Sequence, residues 1–133
     1  MKQISIKTSQ RSHFLEITND VQSFVSSEGL KDGVVQAFVP HTTAGITINE
    51  HADPDVVHDM TLMLDRMVPW HDPDYRHGEG NSAAHIKASM MGSSVSVFVK
   101  GGRLQLGTWQ GIFLCEFDGP RTRQIWLKVL HAG

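Results

Sequence analysis

Three histidines and one carboxylate stand where side chains can do chemistry. His41 follows the apolar run Val34, Val35, Phe38 and Val39, His77 lies in a stretch rich in turn formers, and His85 opens a helical pattern. Glu116 falls in a strand pattern with apolar residues on both faces. Neutral imidazole moves protons near neutral pH and is a common zinc ligand; three imidazoles with one open position make a catalytic metal arrangement. The spacing 41, 77 and 85 matches no compact metal signature such as two histidines four apart on a helix. A solvated or core-satisfied role therefore stays open for each histidine. A carboxylate in a central strand needs a cation, a metal or a proton. For Glu116, an ion pair with Arg121 or Arg123 across the next turn and a catalytic acid or base are equally open.

The densest chemistry lies between His41 and Pro54. Ile46 and Ile48 alternate with Thr47 and Asn49, which predicts a strand with an apolar and a polar face. Asp53-Pro54 ends it and starts a helix, because an Asp carboxylate accepts the free N–H groups of a first turn and Pro has no N–H to lose there. His41, Asn49, Glu50 and Asp53 then lie along one strand and its following cap. Capping alone accounts for Asp53. Cys115 has apolar neighbours and reads as an inert core thiol. Lys87, Arg103, Arg121 and Arg123 could hold a phosphate, although isolated basic residues are ordinarily solvated.

The elements that must position these groups can be read from periodicity. Lys2 to Thr8 forms a strand, and His13 to Ile17 is expected to be its antiparallel partner, with His13 solvated at the turn between them. A packing helix runs from Thr18 to about Glu28 with Gly29 after its end. Gly33 to Pro40 reads as a strand buried on both faces. The helix from Pro54 to about Val68 places Val56, Met60, Met63, Leu64 and Met67 on the stripe it should bury, and leaves His58 exposed. Residues 69–81 form a long loop, and loops of that length are usually functional or disordered. Ser82 should cap a short helix from Ala83 to Met91, closed by Gly92. Val95, Val97 and Val99 form a strand, Gly101-Gly102 turns it, and Arg103 to Leu106 returns. Ile112 to Phe117 is a central strand, and Arg123, Ile125, Leu127 and Val129 alternate along the last.

The chain has 133 residues, 40% hydrophobic and 20% charged, which suits one domain spanning residues 1–133 with a real core. Twelve basic and fourteen acidic residues leave a formal charge of -2, so no footprint for nucleic acid or an anionic membrane is visible. A small molecule is the expected partner. One cysteine excludes an intrachain disulfide framework. Neither a signal peptide nor an eighteen-residue apolar run is present, and the expected location is the cytoplasm.

Four motifs carry a resemblance: His41-Thr42-Thr43-Ala44-Gly45-Ile46-Thr47-Ile48-Asn49-Glu50, Asp53-Pro54-Asp55-Val56, His85-Ile86-Lys87-Ala88-Ser89 and Gly107-Thr108-Trp109-Gln110-Gly111-Ile112. In order and separation they closely resemble the YjbQ family of secondary thiamine-phosphate synthase-type proteins, over essentially the whole chain. The resemblance implies an α+β subunit, with mainly antiparallel sheets in a sandwich-like core and about three helices. It implies a homotrimer with clefts near subunit boundaries. Carried over by position, the cleft would be lined by His41, Asn49, Glu50, Asp53, His77, His85, Gln110 and Glu116. Zinc, another divalent metal or an anion would bind there, with His41, His77 and His85 as metal ligands. One departure stands out: His51 occupies a position that is commonly Asn in the family.

The function this implies is condensation of a pyrimidine pyrophosphate with a thiazole phosphate, giving thiamine phosphate and pyrophosphate. Neutralising the leaving pyrophosphate is the main catalytic task. His41 and His85 are expected to supply charge or hold metal, Glu116 to act as acid or base, and Asn49, Glu50 and Asp53 to complete the catalytic set. Gln110, Thr108, Lys87 and Arg121 are expected to contact substrate. A binding module without turnover and a metal-assisted phosphohydrolase are the alternative readings.

Overall fold

The computed structural model describes residues 1–132. Eight strands and three helices follow one another as β1 (Lys2–Lys7), β2 (His13–Glu16), α1 (Thr18–Ser27), β3 (Asp32–Phe38), β4 (Ala44–Glu50), α2 (Pro54–Met67), α3 (Ser82–Met91), β5 (Ser94–Lys100), β6 (Arg103–Leu104), β7 (Gln110–Glu116) and β8 (Thr122–His131). They build two antiparallel sheets. One has the order β1-β8-β3-β5-β6 and the other β2-β7-β4. The expected pairing of the first two strands does not form: β1 pairs with β8 and β2 with β7. The polar stretch 8–12 carries the chain from one sheet to the other instead of closing a hairpin.

Alternation decides what lies between the sheets. Val35, Ala37, Ile125 and Leu127 point inward from the larger sheet and meet Ile46, Ile112 and Leu114 from the smaller, with Val21, Phe24 and Val25 of α1 in the same cluster. Each such Val, Ile, Leu or Phe side chain stabilises the fold by roughly 1.5–3 kcal/mol through burial. The opposite face of the smaller sheet presents Phe14, Phe113, Cys115 and Phe117, which α2 and α3 cover with Leu64, Ala84 and Ala88. β7 is thus apolar on both sides, as a central strand requires.

Among the described residues no element covers the outer face of the larger sheet, where Phe98 and Leu130 are exposed. β3 is therefore buried on one side only, contrary to the two-sided burial expected for it: Val35 and Ala37 are buried while Phe38 is exposed. α2 departs from expectation in a related way. Asp53 caps it, its carboxylate accepting the Asp55 amide at 2.9 Å, but of the predicted stripe only Leu64 is buried, and Met67 is 61% exposed. α3 begins at Ser82, its cap position is taken by Asn81 with no side-chain capping bond, and it closes at Gly92 with φ +94°. His13 is half-buried instead of solvated, and its Nδ1 is enclosed without a partner.

Two contacts set α3 against β4. The Gly92 carbonyl accepts the Ile46 amide at 3.0 Å. At Gly45, an added Cβ would come within 2.8 Å of that same carbonyl oxygen and 3.0 Å of the Met91 Cβ. Glycine is required there by close approach of two backbones. Among the described residues no helix is long and apolar enough to cross a membrane.

Candidate functional site

His41 leaves β3 through Val39-Pro40, and His85 sits in the first turn of α3, the helix pressed onto β4. The two imidazoles line one cavity of about 470 Å³, together with Thr42, Ser89, Gly92 and Ser93. Ser89 lies four residues after His85 and so shares its helix face. His77, on the long loop, meets the His85 ring without lining that cavity. Its ring stands edge-on to that of His85, with centroids 5.3 Å apart. A second cavity, between Tyr75, Arg76, His77 and the other side of His85, has about 460 Å³; the 69–81 loop walls this one, which shares only His85 with the first.

The chemistry of His41 follows from one hydrogen bond. The Gln124 backbone N–H donates to Nε2 at 2.9 Å, so Nε2 carries the lone pair and Nδ1 the proton. Burial disfavours the imidazolium, and the nearby Arg123 and Arg121 charges add to it; Glu116 opposes them, but the pKa remains below the usual histidine value. The result is a neutral ring that offers an N–H donor.

That arrangement does not suit a metal. A neutral imidazole has one lone pair, and His41 has already committed it to Gln124. Among the described residues, no three His, Cys, Asp or Glu side chains converge into a metal-holding group. The expected set of His41, His77 and His85 therefore does not fit a zinc ion within this chain.

Glu116 lies behind the site, not in it. Its Oε1 accepts from Thr8 Oγ1 at 2.8 Å and from Arg123 Nε at 2.8 Å; its Oε2 accepts from the Asp118 amide at 2.9 Å and from Arg123 Nη2. Burial pushes this carboxyl up, but the Arg123 hydrogen bonds and charge, the Asp118 amide and the Thr8 hydroxyl outweigh it and hold the group ionised. With both oxygens doubly engaged and no exposure, it has no open position for acid or base work. The structural ion pair, with Arg123 as partner, is the alternative the geometry realises.

The remaining expected residues are dispersed. Glu50 and Asp53 border a separate acidic cavity of about 240 Å³ with Glu16 and His51. In it, His51 Nδ1 and Glu16 Oε2 lie 2.8 Å apart. Burial raises the Glu16 carboxyl, yet its hydrogen bonds from His51 and Thr18 and the His51 charge bring it below the usual range. Asn49 holds the Glu50 amide at 2.7 Å, and Gln110 holds the Gly107 amide at 2.8 Å. Thr108 is exposed. Arg121 donates to Asp118 Oδ2 at 3.0 Å, and Lys87 pairs with Asp65. Cys115 is fully buried, and burial pushes its thiol far above the ordinary value.

The model for the family described as UPF0047 protein YjbQ-like matches residues 2–132. The chain is 51% identical to the UPF0047 protein YugU of Bacillus subtilis over 130 residues, covering 98% of each. It is 49% identical to a UPF0047 protein of Methanocaldococcus jannaschii, covering 94% of this chain and 90% of that one. A crystal structure from Clostridium acetobutylicum, described as an uncharacterised conserved protein of the YjbQ/UPF0047 family, superposes with a TM-score of 0.95. Its sequence is 52% identical, and the match covers 98% of this chain and 100% of that one.

Proposed function

The chain belongs to the YjbQ-like UPF0047 family, and from that premise we propose that it is a small-molecule transferase of the thiamine-phosphate synthase type. The reaction would join a pyrimidine pyrophosphate to a thiazole phosphate. The observation that carries this reading is the meeting of His41 and His85 in one cavity large enough for a phosphorylated heterocycle. As the thiazole nitrogen forms its bond to the pyrimidine methylene carbon, the carbon–oxygen bond breaks and its electron pair leaves on pyrophosphate. The Nδ1–H of His41 and the hydroxyls of Thr42 and Ser93 donate to that developing charge, whereas the Ser89 hydroxyl is already given to the His85 carbonyl at 3.0 Å. In this reading His85 delivers a proton to the leaving oxygen.

The expected assembly is a homotrimer. Support for self-association comes from the uncovered sheet face, where Val34 pairs across to both Phe98 and Leu130 and Phe98 is 73% exposed. Incubating the purified protein with both phosphorylated substrates tests the activity. Thiamine phosphate should form with the wild type and fall with His41→Ala and His85→Ala. Equal rates in all three preparations, or no product from any, would overturn the reading.

A further inference from the structure

The flank of α3 that faces away from His85 borders another cavity, of about 500 Å³, closed by α2 and by the segment between β1 and β2. Its polar groups are Gln10, Arg11, Ser12, Thr61, Asp65 and Lys87, and Trp70 supplies an apolar wall. It shares no lining residue with the His41–His85 cavity. We propose that this cavity is a second ligand site, binding the phosphate group of a small metabolite between Arg11 and Lys87.

Lys87 is 3% exposed, an unusual position for an ammonium group, and its long stem cannot withdraw to water. Its partner Asp65 can, since that side chain is 57% exposed. One half of the ion pair is thus fixed at the cavity and the other is free to move aside. Arg11 is the second cation. Its guanidinium carbon sits 4.2 Å from the centre of the Trp70 ring, a cation–π contact that orders the side chain without engaging its N–H groups. Among the described residues the guanidinium takes part in no ion pair, and none of its N–H groups donates a hydrogen bond. A fork of donors suited to phosphate is therefore held in place facing solvent, with no protein partner among the described residues.

The charges leave a surplus. Arg11 and Lys87 are positive and Asp65 is negative, so the cavity carries one net positive charge that a phosphate would neutralise. The Gln10 and Ser12 side chains add neutral donors at the rim, and Pro69 and Trp70 offer a surface for the carbon part of the ligand. This site does not depend on the proposed transfer reaction, because its residues lie across the helix from the imidazoles.

NMR titration of the full chain with sodium pyrophosphate tests it residue by residue. The Trp70 indole N–H and the amides of Gln10, Arg11 and Ser12 should shift and saturate. Arg11→Gln should weaken that binding about tenfold, as loss of a charge-assisted contact does, and Asp65→Asn should tighten it by removing the competing carboxylate. Absence of saturation at those signals by about 10 mM, the limit of weak specific binding, would overturn the proposal. So would equal affinity in Arg11→Gln, or shifts confined to the His41 and His85 signals.

Discussion

Glu116 and Arg123 form a two-point ion pair inside the fold. Nε of Arg123 reaches Oε1 at 2.8 Å and Nη2 reaches Oε2, while Arg123 also donates to the Thr43 side chain at 2.8 Å. The pair ties β8 to β7 and to the start of the His41 segment. Removing one partner leaves the other buried and uncompensated, so Glu116→Gln should cost about 3–5 kcal/mol, measured by urea denaturation.

That pair also sets a pH dependence. The folded-state pKa of Glu116 lies below its ordinary value of 4.5, so the folded chain binds the proton less readily than the unfolded one. Its contribution is complete above that ordinary value and is lost as pH falls through the depressed folded value. Stability measured from pH 6 downward should fall, with a shallower slope in Glu116→Gln. Parallel curves for the two proteins would contradict the assignment.

His41 makes a second, independent titration. Its pKa is held below 6.5 by burial and by Arg123, so the neutral ring is the form the folded chain keeps. The stability it contributes is present above 6.5 and fades as pH falls through the lowered value. Imidazole NMR should show a midpoint below 6.5 with the proton on Nδ1. A proton on Nε2 would remove the Gln124 bond and, with it, the argument against metal ligation.

The edge-on contact of His77 with His85 separates two roles. If His85 touches the leaving group and His77 only holds its ring, His85→Ala should lower kcat/KM roughly a hundredfold, within the range of general-acid losses. His77→Phe should retain most of that activity, because it preserves the ring packing. A loss in His77→Phe as large as in His85→Ala would move His77 into direct contact with substrate.

Phe98 tests the assembly. A lysine there keeps the strand but charges one end of the apolar row Leu130–Val34–Phe98. Light scattering should give a mass of three chains for the wild type and of one for Phe98→Lys. A wild type that runs as a monomer would leave the exposed face without its expected cover.

Period and punctuation made most of the elements legible. Asp53-Pro54 marked the start of α2, Gly101 and Gly102 both take the positive φ that a tight hairpin requires, and the alternation from Arg123 to Val129 identified the inward face of β8. Alternation says which face a residue takes but not which strand lies beside it, so the β1–β8 pairing was out of reach. Two-sided burial was misjudged in β3 because an apolar outer face looks alike in a core strand and in one awaiting a partner. His41 and His85 line one cavity, a meeting that spacing and periodicity could not reveal and only the resemblance suggested. Glu116 was legible as a carboxylate in need of a partner, but choosing Arg123 over Arg121 required knowing that one points inward and the other to Asp118. Arg11 and Trp70 carried no motif; their significance lies in a distance between segments nearly sixty residues apart.

Gly45 bears on how the imidazole site meets a ligand. With the β4 backbone pressed directly on the end of α3, the gap between the His41 segment and the His85 helix has no side-chain cushion that could compress or expand. Differences in ligand size must then be absorbed away from that contact, on the far side of His85, where Tyr75 and His77 of the loop border the adjoining cavity. Such a pocket resembles a vice with one fixed jaw: the backbone contact at Gly45 holds the imidazole side in place, and any adjustment falls to the other.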